Sequence, residues 1–100
     1  MASIKILKRA DNELTDACIW YEKQQLGLSQ KFRKAIRNSL NSIALNPLIF
    51  PKRFEENLRF AILYKFPYVI VYWYDEKLDT VFVASVFHTK RNPDRLKSNE

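Results

Sequence analysis

One glycine, one cysteine and one histidine are present among 100 residues. That scarcity excludes whole classes of chemistry. A single glycine, Gly27, cannot form a P-loop or a dinucleotide fingerprint, which need several glycines for tight turns and close backbone approach to phosphate. There is no G-x-S-x-G nucleophile elbow. One histidine, His88, and Cys18 cannot supply the four ligands of an ordinary zinc site, so no metal and no cofactor are expected. A lone cysteine also rules out an internal disulfide and makes the cytoplasm the simplest compartment. No apolar run approaches the length of a membrane span, and the opening MASIKILKRADNE lacks the apolar core of a signal peptide. Any chemistry is left to histidine, lysine, arginine, tyrosine and carboxylates.

What is present points to a folded, basic chain. Hydrophobic residues make up 47% and aromatic residues 14%, too many for a disordered chain. The length suits a single domain over residues 1–100. The net charge of +6 favours acidic partners such as nucleic acid or an acidic protein segment.

Residues 3–8, SIKILK, alternate in part and read as a short strand. In ADNELTDACIWYEKQQLG, Leu14, Ala17, Cys18 and Tyr21 recur at helical spacing. Asp11 or Asn12 is the expected cap, and Gly27 the stop. Ser29 is the expected cap of a second helix, SQKFRKAIRNSLNSIALN, with the stripe Phe32, Ala35/Ile36, Leu40 and Ile43 and a stop at Asn46-Pro47. The short link between the helices makes them an antiparallel hairpin. NPLIFPKRFEEN has two prolines and no period, and reads as a loop. Three strands rich in β-branched and aromatic residues follow, over 58–66, 67–74 and 79–88. The expected architecture is α+β: an N-terminal strand, an antiparallel two-helix hairpin, then a three-stranded antiparallel meander, with the helices on one face of the sheet. The strands are apolar at both parities, which predicts a second, partly apolar face exposed to a partner.

Charge is unevenly distributed. From Lys23 to Arg53 there are seven basic residues and no acid, so the second helix presents a cationic face that includes Arg33 and Arg37. A second cluster follows the last strand in VFHTKRNPDR: His88, Lys90, Arg91 and Arg95, with Pro93 among them. Such an edge suits a small active site, a phosphate-binding surface, or a solvated strand end capped by a histidine.

The order of elements, together with WYEKQQLGLSQKFRKAI, LNPLIFP, LRFAILYKFPYVIVYWYDE and VFHTKRNP, resembles the RelE/ParE superfamily of type II toxins over nearly the whole chain. The FPY-led strand and the His-x-x-Arg-x-Pro ending are most similar to its ParE-like, plasmid-stabilisation branch. The resemblance implies a small toxin neutralised by a cognate antitoxin encoded beside it. It implies one of two targets: DNA gyrase, as for ParE-like members, or ribosome-bound mRNA, as for RelE-like endoribonucleases. A third alternative is an inactive toxin-like binding module.

Cleavage of RNA needs a base for the 2′-OH, an acid for the leaving oxygen and cations on the phosphate. His88 is the one side chain suited to the proton transfers near neutral pH, with Arg91 and Arg59 on the phosphate. The alternating lysines that the resemblance would place on the strand after Leu58 are Phe60 and Ile62 here, and an arginine of that set is Val69. Gyrase inhibition needs no acid–base pair, only a shaped surface. Lys90, Arg95, Arg33 and Arg37 are then the residues expected to bind target or phosphate. Tyr72, Tyr74 and Trp73 are the residues expected to meet the antitoxin.

Overall fold

The computed structural model describes residues 1–53 and 57–90. Its elements follow the chain as β1 (Ser3–Ile6), α1 (Lys8–Gln24), α2 (Leu28–Leu45), β2 (Lys52–Arg53), β3 (Leu58–Ile62), β4 (Tyr68–Asp75) and β5 (Thr80–His88). The strands form one sheet in the order β1-β5-β4-β3-β2. β2, β3, β4 and β5 pair antiparallel, whereas β1 lies parallel to β5. The sheet is therefore mixed. The helical hairpin carries the chain from β1 at one edge of the sheet to β2 at the other, and the antiparallel strands that follow bring β5 back beside β1 in the parallel sense.

Both helices pack on one face. Ala17, Cys18, Tyr21, Phe32, Ile36 and Ile43 from the helices meet Ala61, Ile70, Tyr72, Val81, Val83 and Val86 from the strands in one buried core. The other face differs from expectation. Phe60, Val69, Val71 and Phe87 form a second buried cluster, with the Phe60 and Phe87 rings edge to face at 6.0 Å. Among the described residues the large apolar side chain exposed on this face is Ile62 at the end of β3, and Trp73 and Phe82 are half-buried.

The helix starts also differ. α1 begins at Lys8 with Leu7 as its cap residue, four to five residues before the expected cap at Asp11 or Asn12. The Leu7 amide still bonds the Val83 carbonyl beside β5, so the helix starts as soon as the strand releases the chain. α2 begins at Leu28 after Gly27, and Ser29 lies inside its first turn. The cap comes from the preceding helix instead. Glu22 accepts from the Gly27 and Ser29 amides at 2.9 and 3.1 Å and from the Ser29 hydroxyl at 2.7 Å. A carboxylate there satisfies orphan amides and opposes the positive end of the helix dipole. Gly27 has φ of +86°, a conformation costly for any residue with a Cβ.

The expected strand over 58–66 ends at Ile62, and Leu63–Pro67 form the turn into β4. Between β4 and β5 the register slips after Val71, leaving Ala84 as the extra residue of a bulge. The bulge turns Ser85 toward α1. There Glu13 accepts from the Ser85 hydroxyl at 2.8 Å and the Val86 amide at 3.1 Å.

Candidate functional site

The strand end at His88 is built from three elements. His88 pairs with Tyr68 across the sheet, and their rings meet edge to face at 5.3 Å. Tyr68 also packs on Phe32 of α2 at 5.1 Å, and Phe66 meets both Phe32 and Tyr21. This aromatic group fixes the N-terminal half of α2, the β3–β4 turn and the end of β5 at one end of the molecule. The Thr89 amide closes it by donating to the Pro67 carbonyl at 2.8 Å.

Several cations therefore share this end. Lys31 and Lys34 project from α2, Lys65 from the β3–β4 turn, and Lys90 follows β5; all are exposed. Arg33 and Arg37, one turn apart on α2, are exposed as well. Arg33 approaches α1 closely enough to act on the Cys18 thiol. Burial pushes that thiol up, and the guanidinium partly opposes the shift. Arg9 pairs with Glu13 at 3.9 Å, whereas none of these cations pairs with an acid among the described residues. Arg91 and Arg95 lie outside the described residues.

His88 is half-buried, and its Nδ1 accepts from the Lys90 amide at 3.1 Å. The bond matches the expectation of a histidine capping its own strand end.

Arg59 is not brought to His88. It pairs with Tyr72, four residues along β4 from Tyr68, so the two Cα positions lie about 16 Å apart, from about 3.3 Å per residue along and about 4.8 Å per strand across. Its guanidinium donates to the Phe50 carbonyl at 2.6 Å and the Leu48 carbonyl at 3.4 Å, which secures the α2–β2 loop. Placing Arg59 on a phosphate with His88 is thus corrected: its hydrogen bonds hold it against the α2–β2 loop, away from His88.

The three aromatic residues expected at the antitoxin surface separate. Tyr72 is fully buried, and its hydroxyl donates to the Pro47 carbonyl at 2.7 Å. Burial pushes the phenol up, against the nearby Arg59 charge and the Phe50 amide. Its ring therefore offers no surface to a partner, which corrects that expectation. Trp73 faces the opposite side, half-buried and stacked on Phe82 at 5.1 Å and 17°. Tyr74 lies on the helix face. Its hydroxyl donates to Asp79 in the β4–β5 turn at 2.7 Å, and that bond raises its phenol.

Sequence reasoning missed a groove of about 720 Å³ between α2 and the end of β3. Lys31, Lys34, Ala35, Asn38, Ser39 and Ser42 line one wall, and residues 62–66 the other. The signal was present: these six positions repeat at helical spacing beside the apolar stripe of α2.

The sequence matches the family described as "ParE toxin of type II toxin-antitoxin system, parDE" over residues 4–93. The chain belongs to the ParE toxin family. The fold is also that of solved RelE and ParE structures. The toxin–antitoxin complex RelBE of E. coli contains a chain of 22% identity and TM-score 0.69, with 91% of this chain and 100% of that one covered. The isolated E. coli RelE toxin has 20% identity and TM-score 0.69, covering 99% and 96%. A chain in the chromosomal ParDE system of P. aeruginosa has 14% identity and TM-score 0.62, covering 90% and 98%. No curated protein matches in sequence. Among the described residues, no helix is long and apolar enough to cross a membrane.

Proposed function

We propose that this ParE-family toxin acts in the cytoplasm by binding and inhibiting DNA gyrase, and that a cognate antitoxin neutralises it. The observation that carries the reading is the separation of the groups RNA cleavage would need. His88 and Arg59 stand two strands and four residues apart on the sheet, and Arg59 is occupied by two carbonyls. Phe60, Ile62 and Val69 supply neither protons nor charge. The contiguous basic end suits an acidic protein surface, or gyrase holding DNA, since such a field steers and registers a partner without acid–base chemistry. Lys90, Arg33 and Arg37 are the proposed target contacts among the described residues. Trp73, with part of its ring exposed, is the proposed antitoxin contact of the three aromatics.

The test is inducible expression without the antitoxin, following DNA replication and bulk translation separately for wild type and His88→Ala. Replication should stop first, and His88→Ala should stay toxic. Translation stopping first, with growth restored by His88→Ala at equal protein level, would favour RNA cleavage. An absence of any growth effect would leave only the inactive binding module.

A further inference from the structure

The end of the molecule opposite the basic cluster collects apolar side chains that the gyrase reading does not use. The start of β1 ties its parts together. The Ala2 amide donates to the Ala44 carbonyl at 2.9 Å, and the Ser3 amide to the Asp79 carbonyl at 3.0 Å. The last turn of α2 and the β4–β5 turn therefore meet at one end, and the α2–β2 loop leaves from it. Leu45 there is 72% exposed, Leu78 63%, Ile49 54% and Leu48 53%.

These side chains stand out from a fixed frame. The Tyr72 hydroxyl holds the Pro47 carbonyl, and the Arg59 guanidinium holds those of Leu48 and Phe50. The Ile49 amide donates to the Asn46 carbonyl at 3.1 Å, and the Leu78 amide to the Asp75 carboxylate at 3.0 Å. A surface fixed in advance spares part of the ordering cost of association.

Together the four leave on the order of 450 Å² of apolar surface in water, well within the range of about 300–600 Å² for the largest patch on a monomer. A standard interface buries about 800 Å² on each partner, and about 65% of a homodimer interface is apolar. This end thus offers most of the apolar surface that a second copy needs. Its rim carries both signs of charge, with Lys52 and Lys77 exposed beside Glu76 and Asp79. In a two-fold contact the same patch faces itself, so each sign can meet the other. The net positive charge of the chain does not oppose such a contact. Arg33 and Leu45 lie about 18 Å apart along α2, so two copies joined here keep their Arg33 side chains more than about 30 Å apart, several Debye lengths of about 8 Å.

We propose that this end is the interface of a homodimer. Leu45, Leu48, Ile49 and Leu78 of one copy pack on the same residues of a second across a two-fold axis, and the two basic ends point outward. The inference holds whichever target the basic end binds. An anionic membrane surface fits less well, because Glu76 and Asp79 on the rim oppose it. An acidic partner segment is drawn to the basic end instead.

The experiment is sedimentation equilibrium of the purified full chain from about 1 to about 200 μM. A monomer–dimer equilibrium is expected, with Kd on the order of 10 μM, the weak end of the range for interfaces near this size. Leu45→Gln/Leu78→Gln should weaken it about tenfold or more and leave the unfolding midpoint unchanged, since both side chains are exposed. Ile19→Gln/Trp20→Gln removes the exposed apolar pair of α1 and should weaken it less than about threefold. Amide shifts on dilution of wild type should centre on residues 45–50 and 76–79. A monomer at about 200 μM would overturn the proposal, as would a dimer that survives Leu45→Gln/Leu78→Gln but not the α1 variant. Flotation with phosphatidylserine vesicles that only Leu45→Gln/Leu78→Gln abolishes would give the end to lipid. Protection of residues 45–50 from hydrogen exchange only in a complex with the antitoxin would give it to that partner. Either result would also overturn the homodimer.

Discussion

Replacing Tyr72 with phenylalanine deletes one oxygen from the core and leaves the ring in place. Its hydroxyl donates to the Pro47 carbonyl at 2.7 Å from a fully buried position. A net intramolecular hydrogen bond is worth about 1 kcal/mol, and a stranded acceptor costs up to about 3 kcal/mol when water is shut out. Pro47 is only half-buried, so its carbonyl can turn to water and the loss stays near the lower figure of about 1 kcal/mol. In a domain of this size that lowers Tm by about 4–8 °C. Urea unfolding should show a lower midpoint with an unchanged slope, since the surface exposed on unfolding is the same. Amides between Asn46 and Pro51, held also by Arg59, should exchange faster. An unchanged midpoint would refute the core role. If the variant also lost its protein partner, Tyr72 would be a contact residue after all.

Other perturbations test other joints of the fold. Glu13→Ala leaves the buried Ser85 hydroxyl and the Val86 amide unpartnered, and should cost about 2–4 kcal/mol by chemical denaturation, against less than about 1 kcal/mol for Arg9→Ala. Gly27→Ala meets no atom within 4 Å, so its cost of about 1 kcal/mol should come from backbone strain at φ of +86° alone. The Gly27 amide, then the Ser29 hydroxyl and the Ser29 amide, hold the Glu22 carboxyl below its usual range. A depressed folded-state value means that its contribution is complete above the unfolded carboxylate range and is lost as pH falls through the folded value. Wild type should therefore lose more stability than Glu22→Gln on acidification through that window, and parallel profiles would refute the cap.

The sequence carried the fold where pattern and packing agree. Phe32, Ile36 and Ile43 announced the buried stripe of α2, and β-branched runs announced β4 and β5. The parallel pairing of β1 was hidden because Ser3–Ile6 bear no mark of strand direction; it depends on where the hairpin and the following meander set β5 down. Ser29 looks like a helix cap by residue type, yet Glu22, seven residues earlier, takes that place by reaching across the hairpin. Tyr72 and Trp73 are neighbours of similar composition, and only the sheet's alternation sends one into the core and the other out. Arg59 at the head of a strand reads as a phosphate-holding cation. Its capture by the Leu48 and Phe50 carbonyls depends on a loop whose path no periodicity encodes. The groove escaped because Lys65 is distant in sequence from Lys31 and Lys34.

The central claim is a protein target rather than RNA scission. The most direct measurement is a paired reconstitution: purified chain added to gyrase supercoiling plasmid DNA, and to ribosomes programmed with mRNA. The account predicts that supercoiling stops and the mRNA stays intact, with His88→Ala behaving as wild type. Intact supercoiling together with mRNA cut on the ribosome, and cutting abolished by His88→Ala, would contradict it.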